Sequence, residues 1–445
     1  MSDHTLILGA HIINEGKRVE EDVYLKNGRI HYIGSRRPQE RYHEINAEGL
    51  YLMPGIIDDQ VHFREPGLTY KGDINSESKA AAAGGVTSFM EMPNTNPVAS
   101  TQSLLEQKFQ IAAQSAYTNH SFFLGATGKN IDEIKAMDVQ NVCGVKIFMG
   151  SSTGDLLVDD DRALESIFRE SPTLIATHCE DEELFKTKLQ EYKIKYCDDI
   201  PPQCHEYIRS AEGCLLSSTK AIALARRFNS RLHILHITTA AEVDLFDCNA
   251  LLRDKMITSE VCVHHLHFDN TDYQTLANKI KCNPSIKAPH HRLALIQGML
   301  DDRLDIIATD HAPHTLEEKI GGYLQSASGL PLVQHGLQLM LTMYHQGIIG
   351  LEKIVEKMCH NPAICFRIRD RGYIREGYFA DLVLIDPQER SLVLNENLLY
   401  KCGWSPLENA QLRGKVHKTW VNGVLVYDLG QFAAPGAGHR LQFDR

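Results

Sequence analysis

The run Ile306-Ile307-Ala308-Thr309-Asp310-His311-Ala312-Pro313-His314 joins an apolar strand to an acid and two imidazoles. A carboxylate at the end of a buried strand needs a cation or hydrogen-bond donors. Asp310 therefore reads as a metal ligand or a general base. A second such place runs from Pro54 to His62 and on through Arg64, Glu65, Pro66 and Gly67. Leu50 to Ile57 is apolar apart from Tyr51 and the Pro54-Gly55 pair, and polar side chains take over at Asp58. Strand alternation would put Asp58, Gln60, His62 and Arg64 on one face, delivering four polar groups to one cavity. The bland alternative is a solvated strand end.

His178 closes Ile175-Ala176-Thr177 and precedes Cys179-Glu180-Asp181. Alone it is either a ligand or a hydrogen-bonded structural histidine. His233 and His236 share the run Leu232 to Ile237, and their odd spacing puts them on opposite strand faces, so at most one should face a barrel interior. Lys146 interrupts Val142-Cys143-Gly144-Val145 and Ile147-Phe148-Met149, where an unpaired ammonium is costly. It either forms a salt bridge or loses its proton, and a neutral amine can react with CO2 to give a carbamate that bridges metals. Ligand-type residues spread over different strand ends suit a catalytic zinc site better than a structural one, which gathers its ligands locally. Manganese and cobalt fit the same donors.

The elements that must position these groups are eight apolar runs separated by helix-length segments: Leu50–Ile57, Val86–Met92, Ser121–Ala126, Val142–Met149, Thr173–Thr177, Leu232–Ile237, Ile257–His264 and Asp305–Thr309. Between them, Ser76–Ala83, Thr101–Ser115, Glu212–Phe228 and His290–Leu300 read as helices. This alternation predicts an α/β fold, a (β/α)8 barrel over residues 53–364 with its site at the C-terminal strand ends. Short β-like runs with turn signals at Asn27-Gly28 and Gly34, and others after Asn361-Pro362, predict a small β-sandwich domain built from residues 1–52 and 365–445. Ala433–Gly438 reads as a surface tail.

Composition narrows the partners. The 445 residues carry a net charge of −11, with 43% hydrophobic and 23% charged residues, as in ordinary globular proteins. That charge argues against sequence-independent nucleic-acid binding, which leans on clustered Lys and Arg, and a small anionic substrate would need local basic groups. No run approaches membrane-spanning length, and Leu6-Ile7-Leu8 after the acidic start is too short for a signal peptide. The 11 cysteines are scattered without a C-x-x-C pair. They read as reduced thiols in a cytoplasmic protein.

Pro54-Gly55-Ile56-Ile57-Asp58, His62-Phe63-Arg64-Glu65-Pro66-Gly67, Met92-Pro93-Asn94-Thr95 and Asp310-His311-Ala312-Pro313-His314, in this order, resemble the dihydroorotases of the amidohydrolase superfamily. Gly377-Tyr378-Phe379-Ala380-Asp381-Leu382-Val383 is similar to the segment with which these enzymes re-enter their small β domain. The resemblance implies that His62 binds one zinc ion, that His178 and His236 bind a second, and that an N6-carboxylated Lys146 bridges them. It makes Asp310 a ligand and the catalytic base. It gives Arg64, Asn94, Asn283 and His314 the substrate's carboxylate and ring, with backbone contacts from Ser328-Gly329. The implied reaction is reversible hydrolysis of dihydroorotate to carbamoyl aspartate, a step of pyrimidine synthesis, by a homodimer.

Two positions depart from the family. Gln60 stands where the first histidine of Asp-x-His-x-His is expected, which weakens the first metal site and leaves one or two ions. Val263 replaces the usual proline before His264-His265. Lys146 is the expected bridge because Gly144-Val145-Lys146-Ile147-Phe148-Met149 matches the lysine-bearing strand of hydantoinases, whereas some relatives use an aspartate elsewhere. The rival activities are those of dihydropyrimidinase or hydantoinase and of allantoinase. A catalytically silent dihydroorotase-like subunit supporting a transcarbamoylase is the rival of another class.

Overall fold

The computed structural model describes residues 4–152 and 154–445. Residues 1–3, with which the expected β module begins, lie outside the described residues. Eight parallel strands follow one another in sheet order: β1 (Ile56–Val61), β2 (Val86–Glu91), β3 (Asn119–Gly125), β4 (Gly144–Phe148), β5 (Ile175–His178), β6 (Leu232–Ile234), β7 (Ile257–Cys262) and β8 (Ile306–Ala308). A bridge between Val61 and His311 brings the end of β1 against the segment after β8 and all but closes the barrel. Helices return the chain between strands. Asp73, Thr101, Asp160, Asp181 and Ser210 each accept a backbone N–H at a helix start, which satisfies a donor that the helix itself cannot.

The barrel interior is layered. Ile57, Met90, Phe123, Cys143, Leu235 and Ile306 form an apolar floor with Phe366 and Phe443 from the chain's last third. Burying one side chain of that size stabilises by about 1.5–3 kcal/mol. Polar residues begin above this floor, towards the C-terminal strand ends.

The expected strand Leu50–Ile57 divides in two. Tyr51–Pro54 pairs with the small domain and β1 starts at Ile56, so Gly55 is the crossing point. A Cβ at Gly55 would come within 2.0 Å of Thr87 Oγ1, so only glycine fits this crossing. The expected strand Ile257–His264 stops at Cys262, and Val263–His267 turns into a short helix.

The terminal segments form one nine-stranded sheet in which strand Tyr51–Pro54 pairs with strand Leu382–Leu392. Ile7, Ile12, Val23, Leu52, Leu384 and Trp420, from both halves of that sheet, share one core. The stretch expected as a surface tail is exposed at Ala434 to Gly436 but docks at Gly438, whose neighbour His439 donates its N–H to Asn119 Oδ1 at 2.9 Å. The 11 cysteines are unpaired. No helix among the described residues is long and apolar enough to cross a membrane.

Candidate active site

A cavity of about 230 Å3 opens at the C-terminal strand ends. It is lined by His62, Lys146, His178, His236 and Asp310 on one side and by Arg64, Asn94, Asn283 and His314 on the other. Lys146 lies within β4 and His178 ends β5, while the others come from the segments that follow the strands. Arg64, His236 and Asp310 have φ of 73°, 39° and 44°. Non-glycine residues held in this left-handed region cost about 1–3 kcal/mol each and gather at functional sites, where surrounding structure over-determines them.

The positive φ of His236 also overturns the face argument made from its spacing. β6 ends at Ile234, alternation lapses, and both His233 and His236 point into the barrel: His236 lines the cavity, and His233 reaches Asp59 on non-adjacent β1. Asp58 departs from expectation as well. A register irregularity between Asp58 and Val61 breaks the alternation, and the Asp58 carboxylate accepts from Thr309 Oγ1 at 2.6 Å. Gln60, His62 and Arg64 line the cavity and Asp58 does not.

The donors converge in pairs. His178 Nδ1 lies 2.9 Å from His236 Nε2, while His178 Nε2 contacts Glu180 Oε2 at 2.8 Å. Arg209 donates to that same carboxylate oxygen at 2.9 Å. Burial would raise the Glu180 carboxyl, but Arg209 and His178 outweigh it and hold it at about 2. Burial pushes the His178 imidazole below its usual value, against the opposing pull of Glu180, and His236 well below. His62 Nε2 lies 3.2 Å from Asp310 Oδ1, and its Nδ1 lies 2.7 Å from Asn94 Oδ1.

Lys146 is 1% exposed and has no carboxylate within ion-pair distance among the described residues. Its amine lies 4.5 Å from the Phe148 ring centroid, and burial lowers its pKa to about 7. The salt-bridge alternative thus has no partner. Gln60 turns its amide nitrogen to Asp310 Oδ1 at 3.1 Å and its oxygen towards Cys262 Sγ at 3.9 Å. It acts as a donor to the carboxylate rather than offering oxygen to an ion.

On the opposite wall, Arg64 Nε donates to Pro313 O at 3.0 Å, and Nη2 lies 3.1 Å from His314 Nε2. His314 Nδ1 contacts Glu318 Oε2 at 2.9 Å. Asn283 Nδ2 donates to Ser151 Oγ at 2.7 Å, which leaves Oδ1 without a partner. The Gly329 N–H, expected as a backbone contact, is committed to Lys281 O at 2.9 Å. Sequence reasoning missed Arg209, which reaches Glu180 from a later segment, and Lys71 and Glu318, of which Glu318 had a signal in its place one helical turn past His314. The signal for Glu180 was its place two residues past His178.

The chain matches the family models described as Dihydro-orotase-like over residues 49–153 and Amidohydrolase family over residues 211–426. It is 32% identical over 364 residues to a dihydroorotase of Methanosphaera stadtmanae, with 82% of each chain covered. It is 30% identical over 438 residues to a dihydroorotase of Pyrococcus furiosus, covering 98% of this chain and 96% of that one. The chain belongs to the dihydroorotase family. As a member of that family it is a metal-dependent cyclic amidohydrolase. The dihydroorotase-family fold is shared with an L-hydantoinase (dihydropyrimidinase) from Arthrobacter aurescens, at TM-score 0.93 and 23% identity, covering 98% of this chain and 99% of that one. A dihydropyrimidinase from Brevibacillus agri matches at TM-score 0.90.

The donor set of this dihydroorotase-family chain fits a metal ion. His178 Nδ1 and His236 Nε2 face each other at 2.9 Å, and moving apart by about half an ångström would set them at the ~3.4 Å of two ligands on one tetrahedral ion. A carboxylate orients one imidazole from behind, as metal-ligating histidines require.

Proposed function

We propose that the chain is a zinc-dependent dihydroorotase that reversibly hydrolyses the cyclic amide of dihydroorotate to N-carbamoyl-aspartate, a step of pyrimidine synthesis. One observation carries the choice of substrate. Arg64 is 6% exposed, lines the cavity and has no carboxylate within ion-pair distance among the described residues. A buried guanidinium without a counter-ion awaits an anion. The ring carboxylate of dihydroorotate supplies one, whereas hydantoin and dihydropyrimidine rings carry none.

His178 and His236 would hold one ion, His62 and Asp310 the other, and Lys146, carboxylated on its neutral amine, would join them. When bound, the metal polarises the scissile carbonyl and acidifies the attacking water. The remaining work falls to this chain's own groups. Asp310 takes the water proton as oxygen adds to the carbonyl carbon, then gives it to the ring nitrogen as the C–N bond breaks. Gln60 Nε2 and His62 Nε2 both contact Oδ1, so Oδ2 is the oxygen that carries the proton. Glu318 fixes His314 with its proton on Nδ1, and His314 Nε2 then accepts from Arg64 and aims the guanidinium. Asn94 and Asn283 line the space left for the ring.

The test is dihydroorotate ring opening by the purified chain, before and after chelation and with zinc returned. Zinc-restored turnover is the expected result. No turnover with metal bound would move the reading to an uncharged cyclic amide or to the silent subunit. Arg64→Lys forfeits the planar fork. A charge-assisted pair of this kind is worth about 1.5–3 kcal/mol, so KM should rise ~10- to 100-fold with kcat less affected. An unchanged KM would count against the carboxylate role.

A further inference from the structure

Below the catalytic cavity and above the apolar floor, Asp59 from β1, His233 from β6 and Glu260 from β7 meet inside the barrel, all 0% exposed. One donor atom of each lies within 4.8 Å of the others. Both Asp59 oxygens, Glu260 Oε2 and His233 Nε2 lack a hydrogen-bond partner. Among them the only contacts are ion pairs of Nε2 with Asp59 Oδ2 and Glu260 Oε2, and buried polar atoms without hydrogen bonds, aimed at one point, are costly unless a proton or an ion occupies that point.

We propose that Asp59, His233 and Glu260 bind a divalent first-row transition metal, of the zinc or manganese kind, as a structural ion distinct from the catalytic centre. Three features of the geometry favour a cation over a shared proton. His233 Nδ1 lies 2.8 Å from Thr258 Oγ1, and that hydroxyl in turn reaches Leu232 O at 3.3 Å. Thr258 therefore donates to the carbonyl and accepts from Nδ1–H, which leaves the Nε2 lone pair facing the carboxylates. Nε2 lies 3.2 Å from Asp59 Oδ2, and an N–H there would be poorly aligned with that oxygen. Ligands on an ion at ~2.1 Å stand ~3.4 Å apart. The Asp59 separation is already that close, and the 3.9 Å to Glu260 Oε2 needs only a small side-chain rotation.

Charge and donor type agree. Burial would lower the His233 imidazole, but Asp59 and Glu260 outweigh it and raise it to about 9, so the ion would displace a proton held there. The two carboxylates and the imidazole then left neutral are balanced by one dication, and mixed nitrogen and oxygen donors suit zinc or manganese. The ion would act on the site above it. Glu260 Oε1 accepts the His236 backbone N–H at 3.0 Å, so fixing Glu260 fixes the turn that holds His236 at positive φ.

Zinc is the probe. In the full chain carrying His62→Ala, Lys146→Ala and His178→Ala, we expect one zinc per chain to survive dialysis against metal-free buffer. Adding Asp59→Asn should reduce that to none. Zero zinc in the first variant, or one retained in the second, would overturn the proposal in favour of a protonated His233 held between two acids. Should the variants not fold, crystals of the unmodified chain grown with zinc decide by anomalous scattering at the zinc edge. A peak bonded to His233 Nε2 and Asp59 supports the site, and a map without one there overturns it. None of these readouts uses turnover, so the outcome is independent of the proposed substrate.

Discussion

At the scale of single residues, Lys146 carries the most testable chemistry. Burial holds its amine at about 7, so the neutral form that takes up CO2 predominates above that pH and the ammonium below it. Metal-stripped enzyme given zinc and bicarbonate should therefore regain activity faster as pH rises through about 7, levelling off about one unit higher. A reactivation rate that is flat across that range would remove Lys146 from the bridging role. The same residue was legible in the sequence because a cation amid apolar strand residues has few explanations. His62, His178 and Asp310 were legible for a similar reason, each standing where an apolar run turns polar. Asp59, His233 and Glu260 were not, since their meaning depends on three strands that are far apart in sequence and on a face assignment that fails at His236.

Among elements, the brace from Arg209 through Glu180 to His178 ties the end of β5 to the segment after helix His205–Ile208. The Glu180 carboxyl is held at about 2, against ~4.3 in an unfolded chain. Its depressed value contributes stability that is complete above the unfolded value and is lost as pH falls towards 2. Arg209→Met leaves a buried carboxylate without its cation, which costs about 3–5 kcal/mol. The urea midpoint should fall accordingly at pH 7, and the gap to the unmodified chain should narrow as pH falls below ~4, where the variant's Glu180 takes up a proton first, and close towards pH 2, where Glu180 is protonated in both. A gap independent of pH would mean that lost packing, not charge, explains the change. The barrel strands were readable as apolar runs, but helix Glu182–Tyr196 was missed: none of its residues is fully buried, and its stripe Phe185, Leu189, Tyr192 and Tyr196 only half-buries against Ile200, Cys204 and Ile208 amid many charged residues. Gly55 hid the join between strands because both sides of it are apolar.

Across the whole molecule, Asp381 couples the small sheet to the barrel. Its carboxylate pairs with Arg371 and accepts from Asn119 Nδ2 on β3 at 3.1 Å and from the Asn422 N–H at 2.8 Å, while its carbonyl accepts the Gly55 N–H at 2.8 Å. Asp381→Ala strands a buried guanidinium, and we expect a loss of about 3–5 kcal/mol. In calorimetry the melting peak should move down yet stay single, as two parts sharing such a junction unfold together. Two separated peaks would show that sheet and barrel melt independently. The union of both ends of the chain in one small domain was expected from the return of β-like runs after Asn361-Pro362. Asp381 was seen only as part of a family-like segment, since nothing local marks its partners.

Strand Tyr51–Pro54 also sets a timetable for synthesis. Tyr51 pairs with Ile385, which is 385 − 51 = 334 residues later. A ribosome adding ~5–20 residues per second needs roughly 17–70 s to deliver that partner. Through that interval one edge of the N-terminal sheet stays open to stray pairing with neighbouring nascent chains. The barrel, whose strands pair with their immediate successors, can assemble in the meantime, and the sheet closes last.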